Sequence, residues 1–160
     1  MLRLASYDVV FQEIPGEVTL ALNLSGCPNR CPGCHSLHLQ KETGEVMDEE
    51  LLLGLLDRYG QSVTCVCFMG GDGDPLAVEG LACLVKQQSE GKLKTGWYSG
   101  RSREPEGCAV SAFDYLKLGP YIERLGGLDS PTTNQRLYQI EQGEKTDITS
   151  RFLKGRMGAI

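Results

Sequence analysis

Residues 62–98, SVTCVCFMGGDGDPLAVEGLACLVKQQSEGKLKTGWY, decide the fold. The apolar run over 62–69 predicts a buried strand. It stops at Gly70-Gly71-Asp72-Gly73-Asp74-Pro75, a turn-forming cluster through which neither ladder nor helix continues. Residues 76–88 then place Leu81, Leu84 and Val85 on one stripe, which predicts a helix, and residues 92–98 return to strand character before Ser99-Gly100.

The same alternation extends in both directions. Residues 7–13 have β character, Pro15-Gly16 marks a turn, and residues 17–24 resume a strand, so a hairpin leads into a central strand. Residues 25–36 contain two glycines and two prolines and form a loop. Asp48 is an N-cap for a helix from Glu49 to Tyr59, with acids in the first turn and Gly60 as the stop. A short strand over 113–118 closes at Gly119-Pro120, and residues 136–140 read as the last strand. Strands alternating with helices predict an α/β fold with a mostly parallel sheet. A full eight-unit barrel needs roughly 250 residues, so a partial (β/α) barrel or an open sheet is expected. The chain shows no internal repeat, low-complexity tract or linker, and reads as one domain over residues 1–160.

Composition narrows the function classes. The chain has 160 residues, 41% of them hydrophobic, with 16 Lys plus Arg against 21 Asp plus Glu and a net charge of −5. Scattered basic residues on an acidic chain offer no footprint for phosphate backbones or anionic lipid, so neither nucleic acid nor membrane is expected as a partner. The longest apolar runs fall short of the ~20 residues that cross a bilayer. Residues 1–8 meet Asp8 before any long apolar segment develops, and a cytoplasmic location is expected.

Seven cysteines are many for such a chain, and three stand together. Cys27, Cys31 and Cys34 form C-x3-C-x2-C in a loop with Gly26, Pro28, Pro32 and Gly33. Thiolates at that spacing can surround one small metal centre, and the glycine and proline turns keep the loop curled. A structural zinc site wants four closed ligands, commonly from two paired motifs. A cubane iron–sulfur cluster normally takes four thiolates, so three leave one iron without a protein ligand, the open position that catalysis uses. Cys65, Cys67, Cys83 and Cys108 read as buried or incidental. In open α/β sheets ligands bind beyond the carboxyl ends of the strands. The cysteine loop, the loop over 70–75 and Ser99-Gly100 should therefore converge on one pocket.

Cys27-Pro28-Asn29-Arg30-Cys31-Pro32-Gly33-Cys34-His35 resembles the signature of the radical S-adenosylmethionine (radical SAM) superfamily, in the form found in activating proteins of anaerobic ribonucleoside-triphosphate reductase. The similarity runs on through Gly70-Gly71-Asp72, Trp97-Tyr98-Ser99-Gly100-Arg101, Gly119-Pro120-Tyr121-Ile122, residues 128–138 and residues 147–152. It implies a partial barrel of the radical SAM type carrying a 4Fe-4S cluster on Cys27, Cys31 and Cys34, whose fourth iron is chelated by S-adenosylmethionine. It further implies an oxidoreductase that generates a 5′-deoxyadenosyl radical and installs a glycyl radical on the reductase, its protein partner, with electrons from a low-potential donor such as flavodoxin.

Residue by residue, the resemblance puts Gly33, Cys34 and His35 on the adenine side of the cofactor and Gly70 and Gly71 beside the methionyl amine. The family's usual Gly-Gly-Glu-Pro or Gly-Gly-Asp-Pro is here Gly70-Gly71-Asp72-Gly73-Asp74-Pro75, two residues longer, so either Asp72 or Asp74 can be the acid that faces the ligand. Ser99 matches a strand-end hydroxyl near the cofactor's carboxylate or ribose. Competing readings are a radical SAM enzyme acting on another glycyl radical enzyme or on a small molecule of the deazapurine-precursor kind, and a non-enzymatic iron–sulfur or zinc module.

Overall fold

A computed structural model describes residues 2–26, 44–107 and 109–152 of the chain. The first two strands, β1 (Arg3–Val10) and β2 (Thr19–Leu24), form the expected antiparallel hairpin, with a register shift between Leu4 and Ser6. Its connection turns at Pro15-Gly16, where the Glu17 N–H donates to the Ile14 carbonyl at 3.1 Å. A two-residue strand, β3 (Glu45–Val46), pairs with the other side of β1.

Helix α1 (Glu49–Tyr59) begins where the capping residue predicts: Asp48 Oδ1 accepts from the Leu51 N–H at 2.9 Å, and Gly60 ends the helix. Strand β4 (Cys65–Met69), helix α2 (Pro75–Gln88) and strand β5 (Lys94–Tyr98) follow as the sequence predicts. A single 3-10 turn (Val110–Ala112) precedes β6 (Tyr115–Leu118). A hairpin of β7 (Arg136–Glu141) and β8 (Glu144–Asp147) follows, and the described residues end in helical residues 150–152. The hairpin's turn residues, Gln142 and Gly143, both have positive φ, the twist that suits a two-residue hairpin loop.

All eight strands form one sheet in the order β3-β1-β2-β4-β5-β6-β7-β8. The α/β class is as expected, but the mostly parallel sheet is not. Only the central pairings β2·β4, β4·β5 and β5·β6 are parallel, while β1·β2, β1·β3, β6·β7 and β7·β8 are antiparallel. The physical reason lies in the connections. A parallel crossover needs a dozen or more residues and usually a helix. Helices α1 and α2 supply this before β4 and β5, whereas β1–β2 and β7–β8 are joined as hairpins. The result is a parallel block, β2-β4-β5-β6, with antiparallel wings.

Side chains alternate between the two faces of this sheet. Leu22, Phe68, Trp97, Leu116 and Tyr138 lie in register across one face and share a core with Leu52 and Leu55 of α1 and Val78, Leu81 and Val85 of α2. The opposite face carries Cys65, Cys67, Tyr115 and Leu137, and neither α1 nor α2 packs on it. Ile14 from the β1–β2 connection packs there, with Leu128, Ile148 and Phe152 from later segments. Gly96 makes room for Ile14: a Cβ at this glycine would stand 2.8 Å from Ile14 Cδ1 and 3.2 Å from Cys67 Sγ. Among the described residues no helix is long and apolar enough to cross a membrane.

Candidate functional site

The pairings Asn23–Met69, Met69–Tyr98 and Tyr98–Lys117 bring the carboxyl ends of the four parallel strands to one level. The loops over 70–75 and 99–100 therefore leave the sheet side by side, while the convergence expected of the cysteine loop with them lies outside the described residues. Ser25 and Gly26 open the first post-strand loop, after β2; Ser25 is buried and its N–H donates to the Arg3 carbonyl at 3.0 Å. Cys27, Cys31 and Cys34, together with Gly33 and His35, lie outside the described residues, as does Cys108.

The second and third loops are joined through one carboxylate. Asp72 is 2% exposed and Ser99 fully buried. Ser99 Oγ donates to Asp72 Oδ1 at 2.6 Å, the Gly100 N–H donates to Asp72 Oδ2 at 2.8 Å, and Arg101 Nη2 reaches the Asp72 carbonyl at 3.1 Å. A hydrogen bond to an ionised acceptor is roughly twice as strong as a neutral one, so this joint fixes the loop after β4 against the loop after β5. Two of the predicted cofactor contacts, Asp72 and Ser99, are thus brought together.

Asp74 has a different place. It is the N-cap of α2, its Oδ1 accepting from the Ala77 N–H at 3.4 Å, and Pro75 occupies the first helical turn. The two extra residues of this loop therefore build a capped helix start. Gly70 and Gly71 both adopt positive φ, +102° and +88°. The Gly70 N–H donates to the Tyr98 carbonyl at 3.0 Å, and its carbonyl accepts from Trp97 Nε1 at 2.7 Å. At Gly71 any Cβ would come within 2.6 Å of Val78 Cγ2 and 3.0 Å of Leu24 Cδ1, so the loop lies directly on the core.

Sequence reasoning assigned no role to Lys117, which is buried at the carboxyl end of β6. Its Nζ donates to the Ser99 carbonyl at 3.0 Å and to the Gly119 carbonyl at 2.9 Å, and stands 5.9 Å from the centre of the Tyr98 ring. Gly119 in turn donates its N–H to the Arg101 carbonyl at 2.7 Å, while Gln135 Nε2 and Asn134 Nδ2 reach the carbonyls of Gly119 and Pro120. The signal in the sequence was slight: a lysine inside Tyr115-Leu116-Lys117-Leu118 looks like the solvent-facing member of an alternating strand. Only the burial of both faces makes it unusual.

The remaining described cysteines are poor metal ligands. Cys65 and Cys67 are fully buried on the face away from α1 and α2, and burial pushes both thiols well above their ordinary pKa, which keeps them protonated. Cys67 Sγ contacts Met69 Sδ at 3.6 Å. Cys83 is exposed on α2. Among the described residues no group of three or more His, Cys, Asp or Glu side chains is placed to hold a metal ion. No protein-family model, curated protein or solved structure matches this chain.

Proposed function

We propose that this chain is a radical SAM activating enzyme that installs a glycyl radical on anaerobic ribonucleoside-triphosphate reductase. The observation that carries the reading is the C-x3-C-x2-C sequence that follows β2 and Gly26 in the chain, taken with the joint of Asp72 and Ser99 between the next two post-strand loops. On this reading the parallel block is the barrel part of the fold, and the antiparallel strands extend it as open wings.

The donor set fits a 4Fe-4S cluster. Cys27, Cys31 and Cys34 would be its ligands, and the buried thiols of Cys65 and Cys67, held protonated, do not compete for a fourth position. When bound, the reduced cluster and S-adenosylmethionine supply an electron and a scissile C–S bond, which together yield methionine and a 5′-deoxyadenosyl radical. The polypeptide's share is position and exclusion of water. Gly33, Cys34 and His35 would face the adenine. The carbonyls of Gly70 and Gly71 accept from Trp97 Nε1 and the Asp74 N–H respectively, and each has a second lone pair for the methionyl ammonium. Asp72, clamped by Ser99 and Gly100, would be the acid offered to that ammonium, while Asp74 caps the helix.

Anaerobic reconstitution with ferrous iron and sulfide tests the reading. The expected product absorbs as a cubane cluster, shows an electron spin resonance signal that changes on adding S-adenosylmethionine, and forms 5′-deoxyadenosine on reduction by dithionite or flavodoxin. Cys31→Ala should abolish all three. Incubation with the reductase should produce a glycyl radical doublet. Tetrahedral zinc without visible absorption would overturn the proposal in favour of a binding module. Formation of 5′-deoxyadenosine without radical transfer would remove the reductase as partner.

A further inference from the structure

We infer that Lys117 is the positioning residue of this rim, the strut that holds the loops after β5 and β6 in the geometry needed to receive a ligand. Three observations carry it. First, Lys117 lies at the end of a strand whose four residues are all buried, and it is itself only 8% exposed. An ammonium withdrawn from water is costly unless its donors are used. Second, two of those donors go to backbone carbonyls on different loops, Ser99 at 3.0 Å and Gly119 at 2.9 Å. Ser99 is the residue whose hydroxyl clamps Asp72, and Gly119 is bonded through its N–H to Arg101. Third, the Tyr98 ring lies 5.9 Å from the ammonium, and the Tyr98 hydroxyl donates to the Glu13 carbonyl, which ties the β1–β2 connection to the same post.

One cation therefore spans the β5 loop, the β6 loop and, through Tyr98, the β1–β2 strap over the face away from α1 and α2. Charge is needed for this. A hydrogen bond from an ammonium to a carbonyl is stronger than a neutral one, and three diverging donors on one atom suit carbonyls arriving from separate loops. A methionine of similar length would fill the volume and leave the carbonyls of Ser99 and Gly119 without this donor. Only the backbone bonds from the Ser99 N–H to the Lys117 carbonyl and from the Gly119 N–H to the Arg101 carbonyl would then tie the two loops. In its bearing on ligand binding the inference rests on the function proposed above; the strut itself does not.

Two variants, Lys117→Met and Lys117→Gln, test this, the second serving if the first does not accumulate. Amide hydrogen exchange on the metal-free protein gives a readout that needs no cofactor. Exchange at Ser99, Gly100, Arg101 and Gly119 should accelerate at least about tenfold, while amides of β2 and β4 stay at wild-type rates. Lys117→Arg, which keeps a cation and several donors, should recover most of the protection. In reconstituted protein, S-adenosylmethionine should bind about tenfold more weakly to Lys117→Met, with the cluster's spectrum in its absence unchanged. Unchanged exchange at the rim, or acceleration spread evenly over the sheet, would overturn the strut. Faster local exchange with wild-type affinity would overturn its role in ligand geometry. A wild-type protein that fails to bind S-adenosylmethionine removes the proposed function, and the exchange data still judge the strut.

Discussion

Asp72 and Asp74 stand two residues apart in a loop where either acid could have served a ligand, and their surroundings separate them. Asp72 is almost fully buried and accepts from the Ser99 hydroxyl and the Gly100 N–H; Asp74 is half-buried and accepts from one amide at the start of α2. Removing an acceptor from two buried donors costs more than removing a cap at the surface. Asp72→Ala is expected to lower stability by about 2 to 3 kcal/mol, and Asp74→Ala by about 1 kcal/mol or less. Urea denaturation of both variants checks this, and the reverse order would show that the Asp72 joint is not formed in solution. The role of Asp72 was not legible in the string Gly-Gly-Asp-Gly-Asp-Pro, because its partners lie on the next strand's loop. The capping role of Asp74 was half legible, since an acid followed by proline is a helix-start signal.

Elements with their own local signals were read well. Both long helices carry an acidic N-cap, and α1 stops at glycine. The two strands that escaped reading lack such signals. Strand β3 has only two residues and exists because β1 offers it an edge. Strand β8, Glu144–Asp147, is polar and exposed throughout, so no alternation of apolar residues marks it; only the turn at Gln142-Gly143 hints at a hairpin. The loop between β4 and α2 offers a test at this scale. Gly71 has φ +88° and its Cβ position is filled by Val78 and Leu24, whereas Gly73 has nothing within 4 Å of its Cβ position. Gly71→Ala should therefore destabilise by at least about 2 kcal/mol, from overpacking and a left-handed backbone. Gly73→Ala should be close to neutral. Thermal melts of the pair would refute the packed turn if the two shifts were equal.

Across the whole molecule, α1 and α2 cover one face of the sheet, and the other collects titratable groups beneath loops. Cys65, Cys67, Tyr98 and Tyr115 all lie there, and burial pushes the pKa of each upward; the hydrogen bond to Glu17 adds to the effect at Tyr115. A thiol that stays protonated in the folded chain and ionises in the unfolded one makes the folded state the better proton binder. Stability is then complete below the unfolded thiol pKa of about 8.5 and falls as pH rises beyond it, by about 1.4 kcal/mol per pH unit for each such thiol. Tyr98 and Tyr115 join above about pH 10. Replacing Cys65 and Cys67 by alanine should lower stability at neutral pH and flatten the decline between about pH 9 and pH 10. Stability curves with the same slope in both proteins would mean that these thiols are reachable by water.

What needed only the order of residues was everything governed by near neighbours: the two capped helices, the apolar strands between them, the Pro15-Gly16 turn, and the glycine-rich ends of successive strands. The α/β class follows from that alternation, and the C-x3-C-x2-C spacing of Cys27, Cys31 and Cys34 is read from the sequence directly. Contacts between distant residues settled the rest. The hairpins at both ends turned an expected mostly parallel sheet into a mixed one, and the Asp72–Ser99 joint and the Lys117–Ser99 strut link residues 27 and 18 positions apart. The physical reason is range. Capping and turn formation are satisfied within a few residues, but a buried carboxylate or ammonium takes whatever partners folding brings within hydrogen-bonding distance.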